Sequence, residues 1–108
     1  MTDMSAFVRV TRMSELREGK GRKVTVHGLD VSLWLVGGTV YAVGNVCAHN
    51  HVSALHEGVL EGLTVTCPMH GWRYALDTGL AVEGNGRVPK FVVVVQGDEV
   101  MVSTQPLV

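Results

Sequence analysis

Two adjacent glycines, Gly37 and Gly38, divide one apolar stretch into two β-branched arms, Val31–Val36 and Thr39–Val43. A two-residue loop of this kind needs backbone that side chains resist, and glycine accepts it at no steric cost. The segment therefore reads as a tight antiparallel hairpin. The device recurs along the chain. Phe91–Gln96 and Glu99–Ser103 flank Gly97-Asp98, and Arg73–Leu76 runs into the turn Asp77-Thr78-Gly79. Phe7–Val10 reads as a first strand, and Ser14–Gly19 as a helical turn or loop. Arg22–His27 alternates Lys23 and Thr25 against Val24 and Val26, the pattern of a half-buried strand. Leu63–Thr66 is a further strand leading into Cys67. No window sustains a helical period, and 13 glycines suit many tight turns. The expectation is an all-β fold, an antiparallel β-sandwich or small barrel.

At 108 residues the chain is expected to form a single domain, 1–108, with 46% apolar residues spread evenly enough to build a core. A formal net charge of -1 lacks the basic excess of a nucleic-acid binder. Met1–Val10 carries Asp3 and Arg9 and does not resemble a secretory leader, and no stretch approaches a membrane span. A cytoplasmic protein is expected, in a compartment that keeps thiolates reduced.

There are two cysteines, each followed closely by a histidine: Cys47-Ala48-His49 and Cys67-Pro68-Met69-His70-Gly71-Trp72. Both boxes follow predicted strands, so loops would carry the ligands while a sheet holds them in place. Zinc accepts two Cys and two His, but zinc fingers usually pair like ligands close in sequence. Here each box is mixed. A two-iron cluster suits that better, with both thiolates on one iron and both imidazoles on the other, because each loop then reaches both metals. A structural zinc module stays open as the competing reading.

The pattern Cys47-x-His49, seventeen residues, Cys67-x-x-His70-Gly71-Trp72 resembles the Rieske [2Fe–2S] signature. The resemblance implies one [2Fe–2S] cluster bound by Cys47, His49, Cys67 and His70, on a Rieske-type fold with two cluster-binding loops. Rieske proteins of respiratory complexes add a second Cys to each box, joined as a disulfide, and a Ser two residues after the second His. Here those positions are Val52, Met69 and Trp72, which is similar to the low-potential Rieske ferredoxins and to oxygenase Rieske domains. An oxygenase subunit would need a further, larger domain. The function implied is that of a one-electron carrier, with no catalytic residue of its own, between a flavoprotein ferredoxin reductase and a terminal oxygenase, working as a monomer. An accessory Rieske subunit of a larger reductase, such as the small subunit of assimilatory nitrite reductase, is the alternative. Exchanging two thiolates for neutral imidazoles removes negative charge, so an added electron meets less repulsion and the potential rises.

Other residues carry paired expectations. His51, His56 and His27 read as solvated loop or surface groups, although His51 lies close enough to His49 to serve the metal. Trp72 either lines a partner contact or packs between the loops. Arg73 reads as a solvated strand charge. Gly58 and Gly62 are explained by hairpin turns. Glu83–Pro89 is an irregular connection that, by the resemblance, forms a third loop over the cluster. Tyr74 either donates its hydroxyl to a cysteine sulfur, as the resemblance to respiratory Rieske proteins implies, or buries its ring with the hydroxyl reaching water.

Overall fold

The computed structural model describes residues 7–46, 53–68, 71–83 and 86–103. Among them the chain forms β-strands and two short 3₁₀ turns, with no α-helix. The strands are β1 (Phe7–Arg12), β2 (Gly21–Val26), β3 (Leu29–Val36), β4 (Thr39–Gly44), β5 (Val59–Glu61), β6 (Thr64–Thr66), β7 (Arg73–Ala75), β8 (Ala81–Glu83), β9 (Lys90–Phe91), β10 (Val93–Gln96) and β11 (Glu99–Ser103). They pair antiparallel in three sheets, in the orders β1-β11-β10, β2-β3-β4-β9 and β5-β6-β7-β8.

Gly37 and Gly38 have φ of 58° and 84° and close the β3–β4 hairpin, with Val36 opposite Thr39. His27 at φ 45° and Gly28 at φ 82° join β2 to β3, so His27 leaves the strand it was expected to end. His27 is exposed, as expected.

The sheet containing β3 and β4 is buried on both faces, which explains why Val31–Val36 reads as a nearly unbroken apolar run. Val31, Leu33, Val40 and Ala42 face a first core completed by Val26, Phe91, Val100 and Val102. Trp34 and Val43 face a second core with Leu55, Val65, Cys67, Tyr74, Leu76 and Val88. The polar atoms between these layers are paired: the Trp34 indole N–H donates to Ser32 Oγ at 3.2 Å, and Ser32 Oγ–H donates to the Val43 carbonyl at 3.2 Å. The expected antiparallel all-β fold thus holds two cores, one on each face of the central sheet, and the second core is the floor of the site.

The expected strand Phe91–Gln96 is two strands. Phe91 pairs with Ala42 in the central sheet, whereas Val93 pairs with Val102 in the first sheet. The chain changes sheets at Val92, whose N–H and carbonyl are taken by Ser103 Oγ and N–H at 3.0 and 2.9 Å. Short β5 and β8, which have no strong pattern of their own, complete the third sheet.

Candidate metal centre

Cys67 is placed by the β6–β7 hairpin. Val65 pairs with Tyr74 and Thr66 with Arg73, and the Cys67 N–H then donates to the Trp72 carbonyl at 2.7 Å. The Gly71 N–H returns to the Cys67 carbonyl at 3.1 Å, and Gly71 takes φ 74°, open to glycine and strained for other residues. This pair of bonds ties off the loop that carries the second Cys/His box. Side chains alternate across the hairpin, so Val65, Cys67, Tyr74 and Leu76 all point into the second core. Cys67 is 1% exposed and Tyr74 0%, which removes the expectation that the Tyr74 hydroxyl reaches water. Trp72 is half-buried and packs against the same core. Arg73 is not simply solvated: its Nη1 meets Glu83 Oε1 of β8 at 2.7 Å.

The first box hangs from β4. Val46 and Ser53 form an antiparallel bridge at its base. Cys47, His49, His51, Val52, Met69 and His70 lie outside the described residues. Among the described residues no three His, Cys, Asp or Glu side chains converge, as follows when Cys67 alone of the expected ligands is described.

The stem of this first loop is held by Asn45, a fully buried residue that belongs to no motif in the sequence. Its Oδ1 accepts the His56 N–H at 2.6 Å, and its Nδ2 donates to Ser53 Oγ and lies against His56 Nδ1, both at 2.9 Å. Ser53 Oγ–H donates onward to Asp30 Oδ2 at 2.6 Å, and Lys23 Nζ stands 3.9 Å from the same oxygen. His56 is therefore half-buried and bonded, not the free surface group expected. No local signal marks this network, because its members lie far apart in sequence and only the fold joins them.

Close backbone approaches bring the two stems together. Gly58, expected to serve a turn, has an ordinary φ of -72°. Its role is clearance: an added Cβ would run into the Thr66 carbonyl, with Val65 Cγ1 at 2.8 Å and the Leu55 carbonyl at 3.0 Å. Gly62, by contrast, is a turn glycine at φ 61°. On the other side, the Gly44 N–H donates to the Pro89 carbonyl at 2.7 Å and the Val88 N–H to the Gly79 carbonyl at 2.8 Å. The Val88-Pro89 segment is thus strapped across the end of β4, next to the first loop.

Glu15 lies apart from this site, on the 3₁₀ turn Met13–Glu15. Its carboxyl is held below the usual value, first by the Thr11 hydroxyl at 2.9 Å, then by the Arg12 N–H at 3.2 Å and by the nearby Arg22 and Arg12 charges. No helix among the described residues is long and apolar enough to cross a membrane.

Residues 6–102 match the Rieske [2Fe-2S] domain family. The ferredoxin component of a naphthalene 1,2-dioxygenase system from Pseudomonas aeruginosa is 31% identical over 98 residues, covering 89% of this chain and 93% of the relative. The ferredoxin of carbazole 1,9a-dioxygenase from Nocardioides aromaticivorans is 31% identical and superposes with a TM-score of 0.87 over 93% of this chain and 99% of its own. A chain from a complex of reduced oxygenase and oxidized ferredoxin of carbazole 1,9a-dioxygenase is 28% identical, with a TM-score of 0.88, covering 95% of this chain and 97% of the other. Structures assigned provisionally as nitrite reductase small subunits share the fold at 20% and 23% identity, which speaks to the fold alone.

The described residues fit a cluster of this kind. Cys67 projects from a hairpin closed on both sides, and the two loop stems share one apolar floor through Val43, Leu55, Val65 and Tyr74. The donor set of two thiolates and two imidazoles is the one such a cluster takes.

Proposed function

Since the chain belongs to the Rieske [2Fe-2S] domain family, as a ferredoxin that carries electrons on one [2Fe–2S] cluster and performs no catalysis itself, we propose that Cys47 and Cys67 bind one iron and His49 and His70 the other. The cluster supplies a site that accepts and releases one electron. The chain's own part is to hold the ligands, exclude water beneath them and present the loop tips to a partner. The partners of this reading are a flavoprotein ferredoxin reductase as donor and a terminal oxygenase as acceptor. The protein acts as a cytoplasmic, monomeric single domain over 1–108.

The observation that carries the reading is the burial of Cys67 on the floor shared by both loop stems, with the loop above it tied off by the Cys67–Trp72 and Gly71–Cys67 hydrogen bonds. Such a frame holds a thiolate still through oxidation and reduction, so that little rearrangement accompanies each transfer. The accessory-subunit reading comes second, since the naphthalene and carbazole dioxygenase ferredoxins are 31% identical to this chain, against 20% and 23% for the nitrite reductase small subunits.

Coupled turnover tests the proposal. Purified protein is added in catalytic amounts to NADH, a flavoprotein reductase and an aromatic-ring oxygenase. The expected result is many turnovers of hydroxylated product per molecule of this protein. Failure to couple, together with stoichiometric co-purification with one large reductase, would favour the accessory subunit.

A further inference from the structure

Asn45 stands two residues before Cys47 and is fully buried, yet each of its polar groups is matched to a partner on a different part of the loop stem. Its N–H donates to the Asp30 carbonyl at 2.9 Å, and its carbonyl accepts the Leu55 N–H at 3.1 Å. Its side-chain Oδ1 takes the next N–H, that of His56, at 2.6 Å. Together these acceptors satisfy the opening of the 3₁₀ turn Leu55–Glu57, whose own N-cap, Ala54, offers no side-chain cap. Asn45 thus caps, from the entry side of residues 47–52, the turn on their exit side. Its Nδ2 reaches Ser53, the first residue after that segment, at 2.9 Å, and Ser53 is itself anchored to Asp30 at 2.6 Å.

We infer that Asn45 is a positioning residue for the metal centre: its carboxamide clamps the entry and exit stems of the first ligand loop, with Ser53 and Asp30 as the second strut. Breaking the clamp leaves buried polar groups unpaired at both ends of the loop. The loop then samples geometries in which Cys47 and His49 hold iron less well. The inference rests on the assignment of Cys47 and His49 as ligands.

The test compares Asn45→Ala and Ser53→Ala with Val102→Ala, a cavity variant in the first core on the opposite side of the central sheet. Each holoprotein is assayed for iron release to a chelator well below its Tm and for the EPR spectrum of its reduced form. Outer residues that orient ligands typically change metal affinity by about 10–100-fold. Asn45→Ala should accordingly release iron on the order of tenfold faster than Val102→Ala at a matched loss of Tm. Its EPR g values should also shift or broaden, which loss of stability alone would not produce. Ser53→Ala should move both readouts in the same direction by less. Iron release and spectra that match those of Val102→Ala would overturn the inference. If Asn45→Ala does not accumulate, a wild-type release rate and spectrum in Ser53→Ala overturn it equally. Full iron retained in Cys47→Ser would instead overturn the ligand assignment on which the inference rests.

Discussion

Tyr74 is the diagonal cross-strand neighbour of Cys67 on the buried face of the β6–β7 hairpin. It pairs directly with Val65, two residues before Cys67, and both Tyr74 and Cys67 belong to the second core. Diagonal neighbours on a sheet lie within reach of an aromatic side chain, and a fully buried phenol needs a partner inside the protein. A hydrogen bond to the Cys67 thiolate would favour the reduced state, in which the sulfur gains negative charge. A net hydrogen bond is worth roughly 0.5–1.5 kcal/mol, and about 1.4 kcal/mol corresponds to ~59 mV for one electron. Tyr74→Phe should lower the potential by about 20–60 mV with the iron intact. Protein-film voltammetry decides it: a difference below ~10 mV would show that the hydroxyl does not tune the centre.

The ligand set makes a sharper prediction. Purified protein should be red-brown, with two irons per chain, and should give on reduction an EPR signal with an average g below that of all-cysteine clusters. Cys47→Ser, Cys67→Ser, His49→Ala and His70→Ala should each lose the cluster, because a hydroxyl or a methyl cannot replace a soft thiolate or an imidazole. His51→Ala should keep its iron. Iron analysis and visible absorption read the outcome. Stoichiometric zinc in a colourless protein, or loss of iron in His51→Ala with retention in His49→Ala, would refute the assignment.

Two glycines of similar appearance should behave differently. At Gly62 an added Cβ meets nothing within 4 Å, so Gly62→Ala should cost only the strain of a positive φ, about 1–2 kcal/mol. At Gly58 the added Cβ meets the Thr66 and Leu55 carbonyls, backbone that cannot step aside. Gly58→Ala should therefore cost about 1–3 kcal/mol through overpacking and also displace Thr66, next to Cys67. Urea unfolding combined with iron content separates them. Full iron in Gly58→Ala would show that the approach does not position Cys67.

Glu15 should give the fold part of its acid sensitivity. Its carboxyl is held below the usual 4.5 in the folded chain by the Thr11 hydroxyl, the Arg12 N–H and the arginine charges. A depressed folded value stabilises the protein above the unfolded value. That contribution fades as pH falls below about 4.5 and is lost once pH passes the lower folded value. Glu15→Gln should thus lower Tm at neutral pH, and the gap from wild type should narrow as pH falls through that window. A gap independent of pH would show that the charge contributes nothing there.

Much of this architecture is legible locally. Gly37-Gly38 and Gly97-Asp98 specify hairpins because turn backbone is a preference of the residues in the turn. The alternation in Arg22–Val26 shows which side of β2 is buried, and the two Cys/His boxes identify the family. His27-Gly28 shows the limit of local reading, since the turn there asks a histidine to take a positive φ inside what looks like a strand.

The sequence by itself determined the all-β class, the main hairpins and the four candidate ligands, because turn backbone preferences and ligand chemistry are properties of residues close together in the chain. Only the tertiary structure decided that the chain changes sheets at Val92, that Gly58 gives clearance beneath Thr66, and that Asn45 joins Asp30, Ser53 and His56 around the stem of the first loop. Those relations join residues up to 49 positions apart, as between Ala42 and Phe91. They arise from which sheet faces meet and from the need of every buried polar group for a partner, conditions that exist only once the layers have packed.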